Sequence, residues 1–332
     1  MPSLPRLKRP RFRAPAGEAV VARREPAELQ SSGLTWIHLE APDQAQAAAL
    51  AERFGWHPLD VEDVLSKRQR PKIDDYPDYL FVVLHFPFYD KFVQRLNAAE
   101  LDIFLGHDYL VTLPTVELHP VAHLFQRCQA DEDFREQLFS KGSGRLLYEV
   151  LDDCFDYCFP ILDKIGHKLD SIEDDIDEGR SEEAVRDISN AKQEIISYRK
   201  IIKPQRPALR LLERRVERFL PENLELYFDD LVDASERIWD VLDNYKEVVE
   251  ALETTNEQVL SHRFNDVLRI LTVFSIVFLP ATLIASLWGM NVGLPGGGDP
   301  AAASTAVFWL IIAASIALIG GLLAFFRYNR WL

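Results

Sequence analysis

The sequence predicts a membrane protein built from an α/β unit, a sheet covered by helices, followed by long helices. The last of these is expected to continue into the first of two C-terminal transmembrane helices. Three observations predict this. Short runs rich in aromatic and branched residues alternate with helical segments over roughly the first 140 residues. From about Gly144 the pattern turns helical. Near the C-terminus, two long runs carry no charged residue.

The strand-like runs are Leu34–Leu39 (LTWIHL), Tyr79–Phe86 (YLFVVLHF), Leu101–Leu105 and Tyr109–Leu113 (YLVTL). Between the first two, one helix is expected to start near Asp43 behind Pro42, and another to cover Leu59–Leu65 after Pro58. Residues Arg145–Glu178 read as helix, with Gly179 a natural stop, and Ser181–Ile202 as a second helix. Pro204 and Pro207 then impose a bend or break. After Pro221 no proline occurs before Pro280 and no glycine before Gly289, so one uninterrupted helix is expected. From Glu222 to Leu279 it would run roughly 85 Å at 1.5 Å per residue.

The uncharged runs are ILTVFSIVFLPATLIASLW, Ile270–Trp288, and TAVFWLIIAASIALIGGLLAFF, about Thr305–Phe326. Each is about the length that crosses a hydrocarbon core as a helix. Arg263 and Arg269 precede the first, Arg327 and Arg330 follow the second, and the connecting loop has no Lys or Arg. The positive-inside bias therefore places both termini in the cytoplasm and the loop outside, in a multi-pass inner-membrane protein. Pro280 falls inside the first span, where neighbouring helices can compensate its missing hydrogen bond. The expected organisation is a basic arm (1–17), an α/β domain (18–143), long helices (144–220), a stalk helix (221–269), the first span (270–288), an outer loop (289–304), the second span (305–326) and a basic tail (327–332).

A formal net charge of −15 argues against nucleic acid as a partner, because phosphate binding needs a basic face. It suits a protein that concentrates cations near its surface. The three cysteines, Cys128, Cys154 and Cys158, are too few and too uneven for a disulfide framework and read as buried structural residues in a reducing setting. The basic N-terminal arm has no apolar run behind it and does not read as a secretory signal. No nucleophile–base constellation, phosphate loop or catalytic metal motif marks an enzyme, and no cofactor is implied. The acidic run Ser171–Glu178, with Asp174 and Asp175 at its centre, and the acids Asp229, Asp230 and Asp233 read either as solvated helix faces or as divalent-ion sites, since hard cations want several carboxylate oxygens.

The first span ends in Gly289-Met290-Asn291, at the outer end of the first of two C-terminal spans. The chain also carries His57-Pro58-Leu59, Glu62-Asp63, Gln69-Arg70-Pro71-Lys72, Tyr76 and Asp78-Tyr79-Leu80-Phe81, and ends Arg327-Tyr328-Asn329-Arg330-Trp331-Leu332. In these motifs, over essentially its whole length, the sequence resembles the CorA family of divalent-cation channels. The resemblance implies a funnel-like homopentamer in a lipid bilayer, with the first span lining the pore and the second facing lipid. It also implies Mg²⁺, with Co²⁺ or Ni²⁺ as further ions, as substrate and as cytosolic regulator.

Stepping three or four residues from Asn265 gives Leu268, Leu271, Ser275, Leu279, Thr282, Ser286 and Gly289, a stripe that gathers much of the span's polar and small content. Polar residues inside a membrane usually face the bundle interior, although small residues also serve helix packing. On the resemblance, Asn291 would form a ring that accepts hydrogen bonds from the ion's hydration water, and Asn265 a similar ring at the cytosolic end. Leu268, Leu271 and Leu279 would form a constriction that gates by excluding water. Two features depart from the Mg²⁺-transporting pattern. Thr254 stands beside Glu253 where an acid is expected, and the outer loop reads Val292-Gly293-Leu294-Pro295-Gly296-Gly297-Gly298-Asp299, with Asp299 its only carboxylate. That loop looks more like the zinc-transporting ZntB branch, so a Zn²⁺ or broad divalent transporter, with or without proton coupling, is the alternative. A non-transporting membrane anchor or sensor is a third reading.

Overall fold

The continuous apolar run of the second strand-like segment, with no polar alternation, requires a strand covered on both faces. The computed structural model of the chain has that arrangement. It describes residues 25–66, 69–90, 95–220, 225–288 and 305–328. These fall into two units. One comprises the described residues up to Leu169 together with Asn190–Val248, and the other comprises Asp170–Ser189 and the described residues from Val249 onward.

In the first unit, β1 (Ala27–Ser31), β2 (Leu34–His38), β3 (Lys72–Asp75), β4 (Tyr79–Asp90), β5 (Arg95–Gly106) and β6 (Tyr109–Pro114) form a sheet of order β1-β2-β6-β5-β4-β3. Only β2 and β6 run parallel; every other pair is antiparallel. Helices α1 (Gln44–Phe54) and α2 (Pro58–Leu65) lie between β2 and β3 in the chain. Asp43 starts α1 with a capping box, its carboxylate accepting from the Gln46 amide at 2.8 Å while the Gln46 side chain accepts from the Asp43 amide at 3.0 Å. Gly55, at φ +70°, ends it in the left-handed conformation that glycine adopts without strain. His57 caps α2 and Pro58 occupies its first position.

Alternation along the strands sends one set of side chains to each face. Toward α1 and α2 go Ile37, Phe81, Val83, Phe104 and Val111, which pack with Leu50 and Trp56. The Trp56 indole lies flat on Phe104, with centroids 3.5 Å apart, and Phe104 stacks on Phe81 at 4.5 Å. The other face is covered by helices from later in the chain: α3 (His119–Ala130), α5 (Ser143–Asp156) and α8 (Gln205–Val216). There Trp36 meets the edge of Phe125, and Phe86 that of Phe155. The first unit is thus a sheet between two helical layers. Between α3 and α5 lies α4 (Glu132–Phe139).

Several elements differ from expectation. Strands β1 and β3 were not foreseen. Both are polar edge strands, AELQS and KIDD, whose strand character comes from pairing with β2 and β4. Helices α3 and α4 were not foreseen either. The expected helix over Arg145–Glu178 is two, α5 and α6 (Cys158–Asp177), broken at Tyr157 although neither proline nor glycine marks the place. The buried thiols of Cys154 and Cys158 flank this break, and burial pushes the Cys158 thiol up to about 12, so it is inert at neutral pH. The Cys158 carbonyl also accepts from the Tyr198 hydroxyl at 3.0 Å. Helix α7 (Ser181–Ile202) occupies its expected span, and α8 follows it after Pro204.

Helix α9 runs unbroken from Glu225 to Trp288 with Pro280 inside it, and α10 covers Thr305–Tyr328. A segment of α9 is long and apolar enough to cross a membrane; the corresponding apolar stretch of α10 among the described residues, Ile312–Tyr328, is shorter. Within the second unit, Gly179 turns between α6 and α7 at φ +86°, and its carbonyl accepts from Arg263 of α9 at 2.5 Å. Val273 and Val277 of α9 pack on Ile319, Leu322 and Phe326 of α10.

Candidate functional site

Burial along α9 is one-sided. Val273 and Val277 are buried, and Pro280, Ala281 and Ile284 half-buried, all on the side that faces α10. At 3.6 residues per turn, the stripe of Asn265, Leu268, Leu271, Ser275, Leu279, Thr282 and Ser286 lies about half a turn away. All seven are exposed in the single chain, Leu271 by 59% and Leu279 by 67%. The structure therefore brings the sequence-predicted residues onto one face, the face that α10 leaves free. Leucines so exposed belong against lipid or further protein rather than water.

Two hydroxyls on this face are anchored. Ser275 donates to the Leu271 carbonyl at 2.9 Å and Thr282 to that of Phe278 at 2.8 Å. This satisfies each hydroxyl proton inside the helix and leaves the oxygen lone pairs available as acceptors. On the flanks, Phe274 and Phe278 stack at 4.4 Å and are exposed, as are Trp309, Leu310 and Ile316 of α10. Gly289, Met290, Asn291 and Asp299 lie outside the described residues.

The four acids expected to hold regulatory metal fall in different units. Asp175, on α6 of the second unit, is bound by the Arg180 guanidinium, while Asp174 is its neighbour on that helix. In the first unit, Asp229 shares a hydrogen bond with Glu213 of α8, whose carboxyl is raised by burial and by the Asp229 charge. Asp230 lies within electrostatic reach of Asp152 and Tyr148 of α5. Among the described residues, the group with three donor atoms within 4.8 Å of one another is another one, Asp60, Asp63 and Asp74. The sequence reading passed over Asp60 and Asp74, because the approach of Asp74 on β3 to α2 is long-range. Their donors are already engaged. Asp60, 1% exposed, accepts from Tyr79 at 2.7 Å and Tyr76 at 3.0 Å. The Lys72 ammonium bonds both Asp63 and Asp74. The cluster is thus a closed structural lock between α2 and β3.

Asp152 gives a pH test of the acidic helix faces. Burial first, then the charges of Asp156 and Glu149, raise its carboxyl from 3.8 to about 6. An acid raised on folding imposes no penalty below its unfolded value and the full penalty above its folded one, so stability falls as pH rises from about 4 to 6. Asp152→Asn is expected to stabilise the protein by about 1 kcal/mol at pH 7.5, a figure reduced for partial solvent screening, and by nothing near pH 4. Melting temperatures of both proteins at the two pH values check this.

Comparison with known proteins bears on the whole chain. Residues 31–328 match the family described as CorA-like Mg²⁺ transporter protein. The chain is 28% identical over 263 residues to the cobalt/magnesium transport protein CorA of Thermotoga maritima, covering 79% of this chain and 74% of that one. It is 22% identical to the divalent cation transporter CmaX of Pseudomonas aeruginosa, covering 90% and 87%. Among solved structures, the complete CorA magnesium transporter of Methanocaldococcus jannaschii superposes with a TM-score of 0.78 at 21% identity, over 90% of this chain and 92% of that one. The cytoplasmic domain of ZntB from Vibrio parahaemolyticus superposes with a TM-score of 0.57 at 15% identity, over 71% and 90%. At these identities the structural matches establish fold.

Proposed function

The chain belongs to the CorA-like Mg²⁺ transporter family, and on that premise we propose that it is a divalent-cation channel whose α9 lines the ion path and whose principal ion is Mg²⁺. The observation that carries this reading is the free face of α9. A single pair of helices encloses no aqueous path, so conduction needs several copies, and five is the number the resemblance implies. The stripe from Asn265 to Ser286 is the side of α9 that α10 does not cover, and it holds outward-facing hydroxyl oxygens. The free side of α10 presents Trp309, Leu310 and Ile316, suited to lipid. In this arrangement both termini are cytoplasmic.

Mg²⁺ gives up its water reluctantly. A ring of Asn291 amide oxygens would accept from that hydration water and select the ion without stripping it. Leu268, Leu271 and Leu279 would close the path by dewetting. The Gly-rich loop ending at Asp299 supports a second reading, a Zn²⁺ or broad divalent transporter with proton coupling.

Uptake into liposomes holding the purified protein, Mg²⁺ against Zn²⁺ and with and without a pH gradient, separates the two. The expected outcome is Mg²⁺ entry indifferent to the gradient and lowered at least about tenfold by Asn291→Ala, the loss of about 1.4 kcal/mol of selective stabilisation. Zn²⁺ entry that follows the gradient, with little Mg²⁺ entry, would overturn the first reading in favour of the second.

A further inference from the structure

A pocket of about 930 Å³ opens in the first unit on the α2 side of the sheet, beyond the aromatic stack, lined among others by Val64, Gln69, His85, Glu100, Asp102 and Thr115. Strand pairing sets Glu100 opposite His85 and Asp102 opposite Val83, so both acids point to the face that carries Phe81 and Phe104. Both are nearly inaccessible, Glu100 at 6% and Asp102 at 1%. Glu100 uses one oxygen only: Oε2 accepts from the Gln69 amide at 2.9 Å and lies 3.3 Å from His85 Nε2. Its Oε1, and Oδ1 of Asp102, are buried with no hydrogen-bond partner among the described residues.

Buried charges in folded proteins are paired or bind a cation, because an uncompensated one costs several kcal/mol. Beyond His85, which faces Glu100 Oε2 alone, little here compensates. Lys72 is bound to Asp63 and Asp74, and Lys200 is an exposed residue of the lining. Burial, and then the neighbouring Glu100 and Asp63 charges, raise the Asp102 carboxyl well above its usual value, against an opposing pull from Lys72.

We propose that this pocket binds a hydrated divalent cation, held through its water shell by Glu100 and Asp102. The buried end of the lining offers two carboxylate oxygens that lack a donor, and a hydrated ion presents donors in every direction. Donors coordinating Mg²⁺ directly at 2.0–2.1 Å lie no more than about 4.2 Å apart. Glu100, Asp102 and His85 do not form a group with three donors inside 4.8 Å, so the ion keeps its inner water. A proton alone would neutralise Asp102 but leave the cavity and the Glu100 oxygen unused. The inference goes beyond ion passage, since occupancy of this pocket is read without any flux.

The test is hydrogen exchange by mass spectrometry on the full chain in lipid nanodiscs, metal-free and with millimolar Mg²⁺. At ten times the dissociation constant, binding slows exchange through local opening by about tenfold. That slowing is expected in peptides covering Ser66, Gln69 and Asn97–Asp102, beyond any seen in α10, and is expected to disappear in Glu100→Gln and Asp102→Asn, which keep side-chain shape. Hexaamminecobalt(III), which cannot shed its ligands, is expected to reproduce the effect in the wild-type protein. No local slowing by either ion, or slowing that persists in both variants, overturns the proposal. Slowing by putrescine but by neither metal complex overturns it too, assigning the pocket to an organic amine.

Discussion

Serine at Leu271 or Leu279 is expected to raise Mg²⁺ entry at least about tenfold under conditions where the wild-type protein is closed. Both leucines lie on the face of α9 opposite α10, and both are exposed in the single chain. In the proposed oligomer this face closes on copies of itself, and a dry leucine constriction stops ions because water leaves it. A hydroxyl retains water there, and removing about 1.4 kcal/mol from the barrier is tenfold in flux. The control is on the same helix. Val277→Ser changes the face packed on Phe326 and is expected to loosen the α9–α10 contact without opening the path. Mg²⁺ influx followed with an indicator trapped in liposomes separates the two. A leak from Val277→Ser and none from Leu279→Ser would place the path on the other side of α9.

Phe104→Ala is expected to destabilise the first unit by about 3–5 kcal/mol, the range for deleting a buried aromatic ring. The ring is 0% exposed and is sandwiched between Trp56, at 3.5 Å, and Phe81, at 4.5 Å. Trp56 arrives at the turn between α1 and α2, so the cavity undercuts both helices and with them the α2 side of the sheet. The readout is the melting transition of the detergent-solubilised chain together with tryptophan emission. A shift of Trp56 toward water with a lower transition is the expected result, and an unchanged transition would mean that the stack is not what holds this layer.

Much of the fold was legible in the sequence, and what was missed shares a cause. Strands β2, β4, β5 and β6 were readable because their apolar runs exceed anything a loop carries, and α7 and α9 because helix signals and the absence of breakers persist over many residues. Strands β1 and β3 were not, since an edge strand such as KIDD owes its conformation to a partner, not to its own composition. The break at Tyr157 leaves no mark either: neither proline nor glycine stands there, and the Tyr198 hydroxyl that bonds the Cys158 carbonyl beside it comes from 40 positions away. The α9 stripe was found by periodicity alone, yet periodicity could not say which face α10 takes.

The sequence by itself determined what depends on local composition: two apolar runs at the C-terminus, a long uninterrupted helix before them, the Gly289-Met290-Asn291 signature and hence the family. Tertiary structure alone decided what depends on which surfaces meet. In β5, Glu100 and Asp102 share a face with Phe104 while Leu101 and Ile103 take the other, and the local pattern does not say whether the acid-bearing end of that face is covered. Both acids are buried because α2 and the residues that follow it cross that face, bringing Gln69 onto Glu100 over 31 positions of sequence. Alternation specifies two faces; which of them is covered is set by connections elsewhere in the chain, and that is how two carboxylates came to lie inside the protein, each with an oxygen that no described residue bonds.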